Sequence, residues 1–91
     1  MTTRTFKIEL EISTGTWDVD LVEVREPTPI IVSTFTNRKS FDVVLENAKY
    51  YALRYLIVAP KGKKYKFKLQ GSEIYEGTIG EGNKMIGEFI L

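Results

Sequence analysis

Four carboxylates lie on the polar side of the first two strands that the sequence predicts. They are Glu9, Glu11, Asp18 and Asp20. If these strands form a hairpin with both apolar sets facing the core, Glu11 lies opposite Asp18 and Glu9 opposite Asp20. Like charges in directly opposed positions destabilise a sheet, and a cationic partner would relieve the repulsion. The pattern predicts a binding surface for a basic protein, with a divalent ion or an ordinary solvated face as alternatives.

A second candidate site is a run of five lysines within eight positions. They are Lys61, Lys63, Lys64, Lys66 and Lys68. The last three line one face of a predicted strand and could bind phosphates without reading a base sequence. Tyr65 and Phe67 alternate with them, so we expect these rings in the core rather than stacked on bases. The alternative is an edge strand that its lysines protect from pairing with other chains.

The composition argues against catalysis. The chain has no histidine and no cysteine, which removes the commonest general base, the thiol nucleophile and the usual zinc ligands. A nuclease with two metal ions needs carboxylates that converge in a pocket, and a flat hairpin does not provide one. We therefore expect a protein that is not an enzyme and binds no cofactor.

Length and charge indicate a single small domain over residues 1–91. The net charge of +1 hides a basic middle, since residues 37–68 carry nine bases and two acids. No apolar run approaches membrane-spanning length and no signal-peptide pattern precedes the first strand, so we expect a cytoplasmic protein without a membrane partner. The scarcity of Gln, Asn and Cys beside plentiful Lys, Glu and Ile is typical of thermophilic proteins.

Alternation of apolar and polar residues predicts most of the elements. Strands are expected over 6–12, 17–21, 30–36, 65–69, 75–79 and 85–91. Parity places Ile12 opposite Trp17 in a first hairpin and Ile79 opposite Met85 in a last one. After Leu21 the alternation changes phase, which predicts a bulge or a change of face. We identify no internal repeat.

Residues 40–58 fit two structures. Eight apolar residues from Phe41 to Leu56 follow helical spacing, and Ser40 is a suitable N-cap, which favours one amphipathic helix over about 40–57. The same residues also alternate as two strands around a turn at 46–49. We therefore predict an α+β fold, an antiparallel sheet with one main helix in the order βββ–α–βββ. The alternative is an all-β sandwich.

The first sixty residues resemble the N-terminal unit of the HicB-like antitoxin family. The family's Gly-aromatic turn, its proline-containing stretch and the start of its helix are matched by Gly15-Thr16-Trp17, by Pro27 and Pro29, and by Ser40 with Asn47-Ala48. Val43 and Val44 stand where the family has Glu and Ala. The resemblance implies a non-enzymatic, dimeric protein that binds and neutralises a small basic ribonuclease toxin.

Together these patterns predict a non-enzymatic, antitoxin-like interaction protein, a homodimer by the family resemblance, that binds a basic partner through the acidic hairpin. The alternative is a small nucleic-acid-binding module that uses the lysine-rich strand.

Overall fold

The computed structural model describes residues 2–91, which form eight β-strands and one short 3-10 turn at Glu81–Asn83. The strands are β1 (Thr3–Glu11), β2 (Thr16–Val24), β3 (Ile30–Thr36), β4 (Ser40–Glu46), β5 (Tyr50–Val58), β6 (Lys64–Leu69), β7 (Ser72–Thr78) and β8 (Lys84–Ile90). Most of them bury every second residue, which is the pattern of a sheet with one face against a core.

The strands form two four-stranded antiparallel sheets. Sheet 1 has the order β4-β1-β6-β7, and sheet 2 has the order β3-β2-β5-β8. Only β2–β3 and β6–β7 are joined as hairpins within a sheet, and every other connection crosses to the opposite sheet. The core between the sheets is largely apolar, and within it the hydroxyls of Tyr55 and Tyr65 are 2.7 Å apart and hydrogen-bonded.

Stacked aromatic pairs lie at the edge strands on both sides of the sandwich. Phe35 of β3 stacks on Phe41 of β4 with ring centroids 4.1 Å apart, and Tyr75 of β7 stacks on Phe89 of β8 at 5.0 Å. Each pair joins an edge strand of one sheet to an edge strand of the other, so it closes the apolar core where the ladder ends.

The predicted helix over 40–57 is wrong, and so is the α+β fold. These residues form β4 and β5, separated by a turn at Asn47, and the alternative all-β sandwich is the fold observed. Burial follows a period of two: Tyr51, Leu53, Tyr55 and Ile57 are buried, whereas Leu56, which the helix would bury, is exposed. The Val, Tyr and Ile content of this segment favours strands. Packing between two sheets selected the extended period of two over the helical period of 3.6.

Both predicted terminal hairpins are also wrong. β1 pairs with β4 and β6, whereas β2 pairs with β3 and β5, so Ile12 and Trp17 are not ladder partners. β7 and β8 likewise belong to different sheets. The parity rule requires only that both apolar sets face the core, and two strands that face each other across the core satisfy it as well as two that pair.

The bulge predicted near Leu21 is present, but in the neighbouring strand. The β2–β3 register moves from Leu21 opposite Ser33 to Val22 opposite Ile31, which leaves Val32 as the extra residue of β3. β2 keeps a regular register with β5 throughout, so Val22 lies on the outer face of sheet 2.

The topology has an internal two-fold symmetry that the sequence does not display. If β1 to β4 are exchanged with β5 to β8 in turn, the strand order of sheet 1 becomes that of sheet 2. The loops follow the same symmetry. Asn37 lies in the β3–β4 loop and Asn83 in the β7–β8 loop, and their φ angles are 54° and 58°. Each half of the chain therefore supplies two strands to both sheets.

Candidate functional site

The four predicted acidic residues do not form one surface. Glu9 and Glu11 lie on β1 in sheet 1, whereas Asp18 and Asp20 lie on β2 in sheet 2. The hairpin that was to bring them together does not exist, because β1 and β2 are not ladder partners. The outer faces of the two sheets point in opposite directions, so the acids are divided into two pairs.

Each of these pairs has neutralising or hydrogen-bonding neighbours. Lys68 Nζ lies 2.9 Å from Glu11, and this hydrogen bond lowers the pKa of the Glu11 carboxyl. Glu9 lies opposite Lys68 in the ladder. The hydroxyls of Thr36 and Thr34 donate to Asp18 and Asp20 at 2.6 and 2.8 Å. The expected repulsion between opposed carboxylates therefore does not arise.

The lysine run divides into two groups. Lys66 and Lys68 lie within sheet 1 and contact carboxylates, Lys66 at 3.2 Å from Glu73 and Lys68 at 2.9 Å from Glu11. The bond to Glu11 raises the pKa of Lys68. Lys61, Lys63 and Lys64 instead lie at the end of the sandwich, before and at the start of β6. The alternating aromatic residues Tyr65 and Phe67 are buried in the core, as expected.

The end of the sandwich that carries the first three lysines is strongly basic. Four loops, 12–15, 37–39, 59–63 and 79–83, meet there, and each crosses from one sheet to the other. With the first residues of β6 and β8 they contain six bases and one acid, Glu81. We call the six bases the basic pole: Arg38, Lys39, Lys61, Lys63, Lys64 and Lys84. Since the whole chain carries only +1, this net +5 leaves −4 for the remainder.

The loops of the basic pole are held by two symmetric asparagines, whose side-chain oxygens accept hydrogen bonds from backbone amides. Asn37 Oδ1 accepts the Trp17 amide at 2.8 Å, and the Trp17 indole donates to the Arg38 carbonyl at 3.0 Å. In the other half, Asn83 Oδ1 accepts the Lys61 amide at 3.0 Å. Asn tolerates the left-handed backbone that both positions require. The bases thus lie on loops, or at the starts of β6 and β8, where hydrogen bonds hold the backbone. Their side chains are exposed.

Most of the pole's charge is available to a ligand. Among residues 2–91, Lys61 is the only member that forms an ion pair, with Glu81. The opposite end of the sandwich is different, because Lys49 there lies 2.7 Å from Glu46 and 3.2 Å from Glu23. These contacts raise the pKa of Lys49. The two ends therefore differ in free charge, and within the described residues only the pole presents a cluster of unneutralised cations.

A cleft of about 1080 Å³ adjoins the pole on the side of sheet 1. It opens because β1 ends at Glu11, opposite Lys66, so the first residues of β6 have no β1 partner. Its polar lining comprises Lys39, Lys64, Lys66, Glu9, Glu11, Glu76, Ser13, Ser40 and Thr78. Three amines face three carboxylates, so the cleft is polar without a net charge and the attraction for an anion comes from the pole beside it.

Sequence reasoning identified half of the pole and missed Arg38, Lys39 and Lys84. The available signal was the net +7 of residues 37–68, which includes the first two. Nothing in the sequence brings Lys84 to the same place, because its segment is acidic overall and its position depends on the pairing of β8 with β5.

Comparison of the chain with family models, with curated proteins and with solved structures finds no match. The resemblance to HicB-like antitoxins therefore stays a prediction. In residues 2–91, no three acidic side chains converge closely enough to hold a metal ion. No helix within the same residues is long and apolar enough to cross a membrane.

Proposed function

We propose that the protein is a non-enzymatic binding module that holds the phosphate backbone of a nucleic acid at its basic pole, in the cytoplasm. The observation that carries this proposal is the convergence of six bases from three separate chain segments on one end of a nearly neutral molecule. Amines and guanidinium groups on fixed loops attract phosphates by releasing condensed counterions, which needs no base recognition.

The pole replaces the lysine-rich strand as the proposed contact surface. Lys61, Lys63 and Lys64 remain in the contact set, while Lys66 and Lys68 leave it because carboxylates of the same sheet neutralise them. We do not propose one acidic interface for a basic protein, because the four acids lie on two different sheets.

The proposal is tested by titrating labelled single- and double-stranded oligonucleotides with the protein and following fluorescence anisotropy between about 50 and 200 mM salt. Six phosphate contacts should give a slope of log K against log salt of about −4 to −5. Arg38→Ala and Lys63→Ala should each make the slope less steep by roughly 0.7–0.9 and weaken all sequences alike.

Lys68→Ala is the matched control, since it removes a lysine of the same run that lies outside the pole. It should leave affinity and slope unchanged. Binding through the lysine strand would reverse the two results, with Lys68→Ala weakening the complex and Arg38→Ala having no effect. Failure of every oligonucleotide to bind near about 50 mM salt would overturn the proposal altogether.

A further inference from the structure

The outer face of sheet 2 is unusually apolar for a surface. Ile31, Tyr50 and Ile90 on this face are 54%, 77% and 67% exposed. Beneath them, Val22 and Ala52 are buried although they point away from the core between the sheets. Neither residue belongs to that core cluster. The outer face of sheet 1 instead carries lysines on β6, flanked by glutamates on β1 and β7. Only one of the two outer faces is therefore suited to being covered.

The charged groups in the middle of this face already have partners within it. Arg54 Nε lies 3.2 Å from Glu88, and the Thr34 hydroxyl donates to Asp20. The register places these four residues in a single row across the sheet, in the order of β3, β2, β5 and β8. The next row is formed by Ile31, Val22, Ala52 and Ile90. Covering such a face leaves few charges without partners, which lowers the desolvation cost.

We propose that the occupant of this face is a second copy of the chain, related by a two-fold axis that runs parallel to the strands between β2 and β5. This axis exchanges β2 with β5 and β3 with β8 while keeping each row in place. Asp20 then faces the partner's Arg54 twice, once on each side of the axis. In the next row Ile31 faces the partner's Ile90.

Charge selects this arrangement over the other two-fold packing of the same faces. An axis perpendicular to the strands would place Asp20 on the partner's Asp20 and Arg54 on the partner's Arg54, which is repulsive. Packed sheets cross at an angle of about 30°, but Asp20 and Arg54 flank the axis in the middle of the face and are displaced least. The face is thus complementary to itself in one orientation.

The area of the face indicates a weak dimer. Four strands about 4.8 Å apart and five rows about 6.8 Å apart cover roughly 650 Å², which is below the ~800 Å² per partner of a standard interface. We expect a dissociation constant of about 1–100 µM, since area at this limit supports only modest affinity.

Because the axis follows the strands, both basic poles lie at the same end of the dimer. The dimer itself does not depend on phosphate binding.

Sedimentation velocity between about 5 and 500 µM, a range that brackets the expected dissociation constant, tests the dimer through two charge-reversed variants. Asp20→Arg alone would set one guanidinium against another, that of the partner's Arg54, and Arg54→Asp alone would pair two carboxylates. Each variant should therefore be monomeric throughout this range. An equimolar mixture of the two should form a heterodimer, with affinity within about tenfold of the wild-type dimer, because opposite charges again face each other. Because the two substitutions are on different chains, their opposite charges can meet only across the interface between those chains.

Ile31→Lys should also prevent association, whereas Val44→Lys, a substitution of a 54% exposed residue on sheet 1, should not. Circular dichroism of each variant confirms that it is folded. A wild-type protein that stays monomeric at about 500 µM overturns the proposal. So does a mixture that fails to associate, or a Val44→Lys variant that dissociates the dimer.

Discussion

The hydroxyls of Tyr55 and Tyr65 form the polar contact at the centre of the sandwich. The two oxygens are 2.7 Å apart, and both side chains are almost fully buried. Burial raises the pKa of both phenols above the ordinary value of 10.0, because a phenolate would lose its hydration in the core. Because a phenolate at either position would be buried without its hydration, these two residues make the core sensitive to alkaline pH.

We expect the free energy of unfolding to fall steeply above about pH 10. Because folding raises both pKa values, the contribution of the phenols to stability is complete below about pH 10 and is lost as the pH rises beyond it. Urea unfolding from about pH 8 to pH 12 measures this dependence. The double variant Tyr55→Phe, Tyr65→Phe should show a shallower decline, and Tyr50→Phe, at a 77% exposed position, should decline like the wild type. Equal slopes in all three proteins would contradict this role of the pair.

At the scale of the element, the two tyrosines also stabilise the edge strands. Tyr55 lies opposite Gly87 of β8, and Tyr65 lies opposite Gly77 of β7. In both pairs the tyrosine ring covers the glycine, so that a Cβ there would collide with the phenol oxygen. A ring packed over a glycine of the neighbouring edge strand compensates for the side chain that glycine lacks. Glycine is required here by close approach and not by its backbone angles.

Gly87→Ala should therefore destabilise the protein by about 1–3 kcal/mol, because the Tyr55 ring must move within a packed core. Thermal unfolding followed by circular dichroism should show a melting temperature lowered by roughly 4–8 °C for each kcal/mol. Gly80→Ala is the control, since its nearest new contact would be Met85 Cε at 3.8 Å. It should stay within about 0.5 kcal/mol of the wild type. A Gly87→Ala protein as stable as this control would show that the ring is not fixed.

At the scale of the whole molecule, the two symmetric halves are joined through both sheets. Strands β1 and β6 connect them in sheet 1, and β2 and β5 connect them in sheet 2. Each half alone would consist of two-stranded ribbons, which are marginally stable at best in water. The symmetry is therefore one of topology and does not divide the protein into independent folding units.

We expect the full chain to unfold in a single cooperative transition. Trp17 fluorescence and far-UV circular dichroism should give the same midpoint in urea. Fragments 1–46 and 47–91, expressed separately, should both be unfolded, since neither can complete a sheet. Two distinct midpoints, or a fragment with a cooperative transition of its own, would contradict this dependence of the halves on each other.

The sequence by itself determined the strands outside the central segment and the side of each strand that enters the core. Period-2 alternation predicted Ile8 and Leu10 of β1, and Tyr65 and Phe67 of β6, as buried residues, and all four are buried. The same local chemistry predicted Lys61, Lys63 and Lys64 as exposed bases. These are properties of a strand and its immediate surroundings, and the alternation of side chains is sufficient to set them.

Only the tertiary structure decided which strands pair. Parity cannot distinguish a ladder partner from a strand across the core. The sequence therefore predicted an acidic hairpin that does not form, and it did not predict the ion pair of Glu11 with Lys68. Helical and extended periods both fitted 40–58, and the gain from burial between two sheets selected the strands. Lys84 belongs to the basic pole because β8 pairs with β5 and brings it beside loops far from it in sequence. Such non-local contacts depend on packing free energy, which no local pattern records.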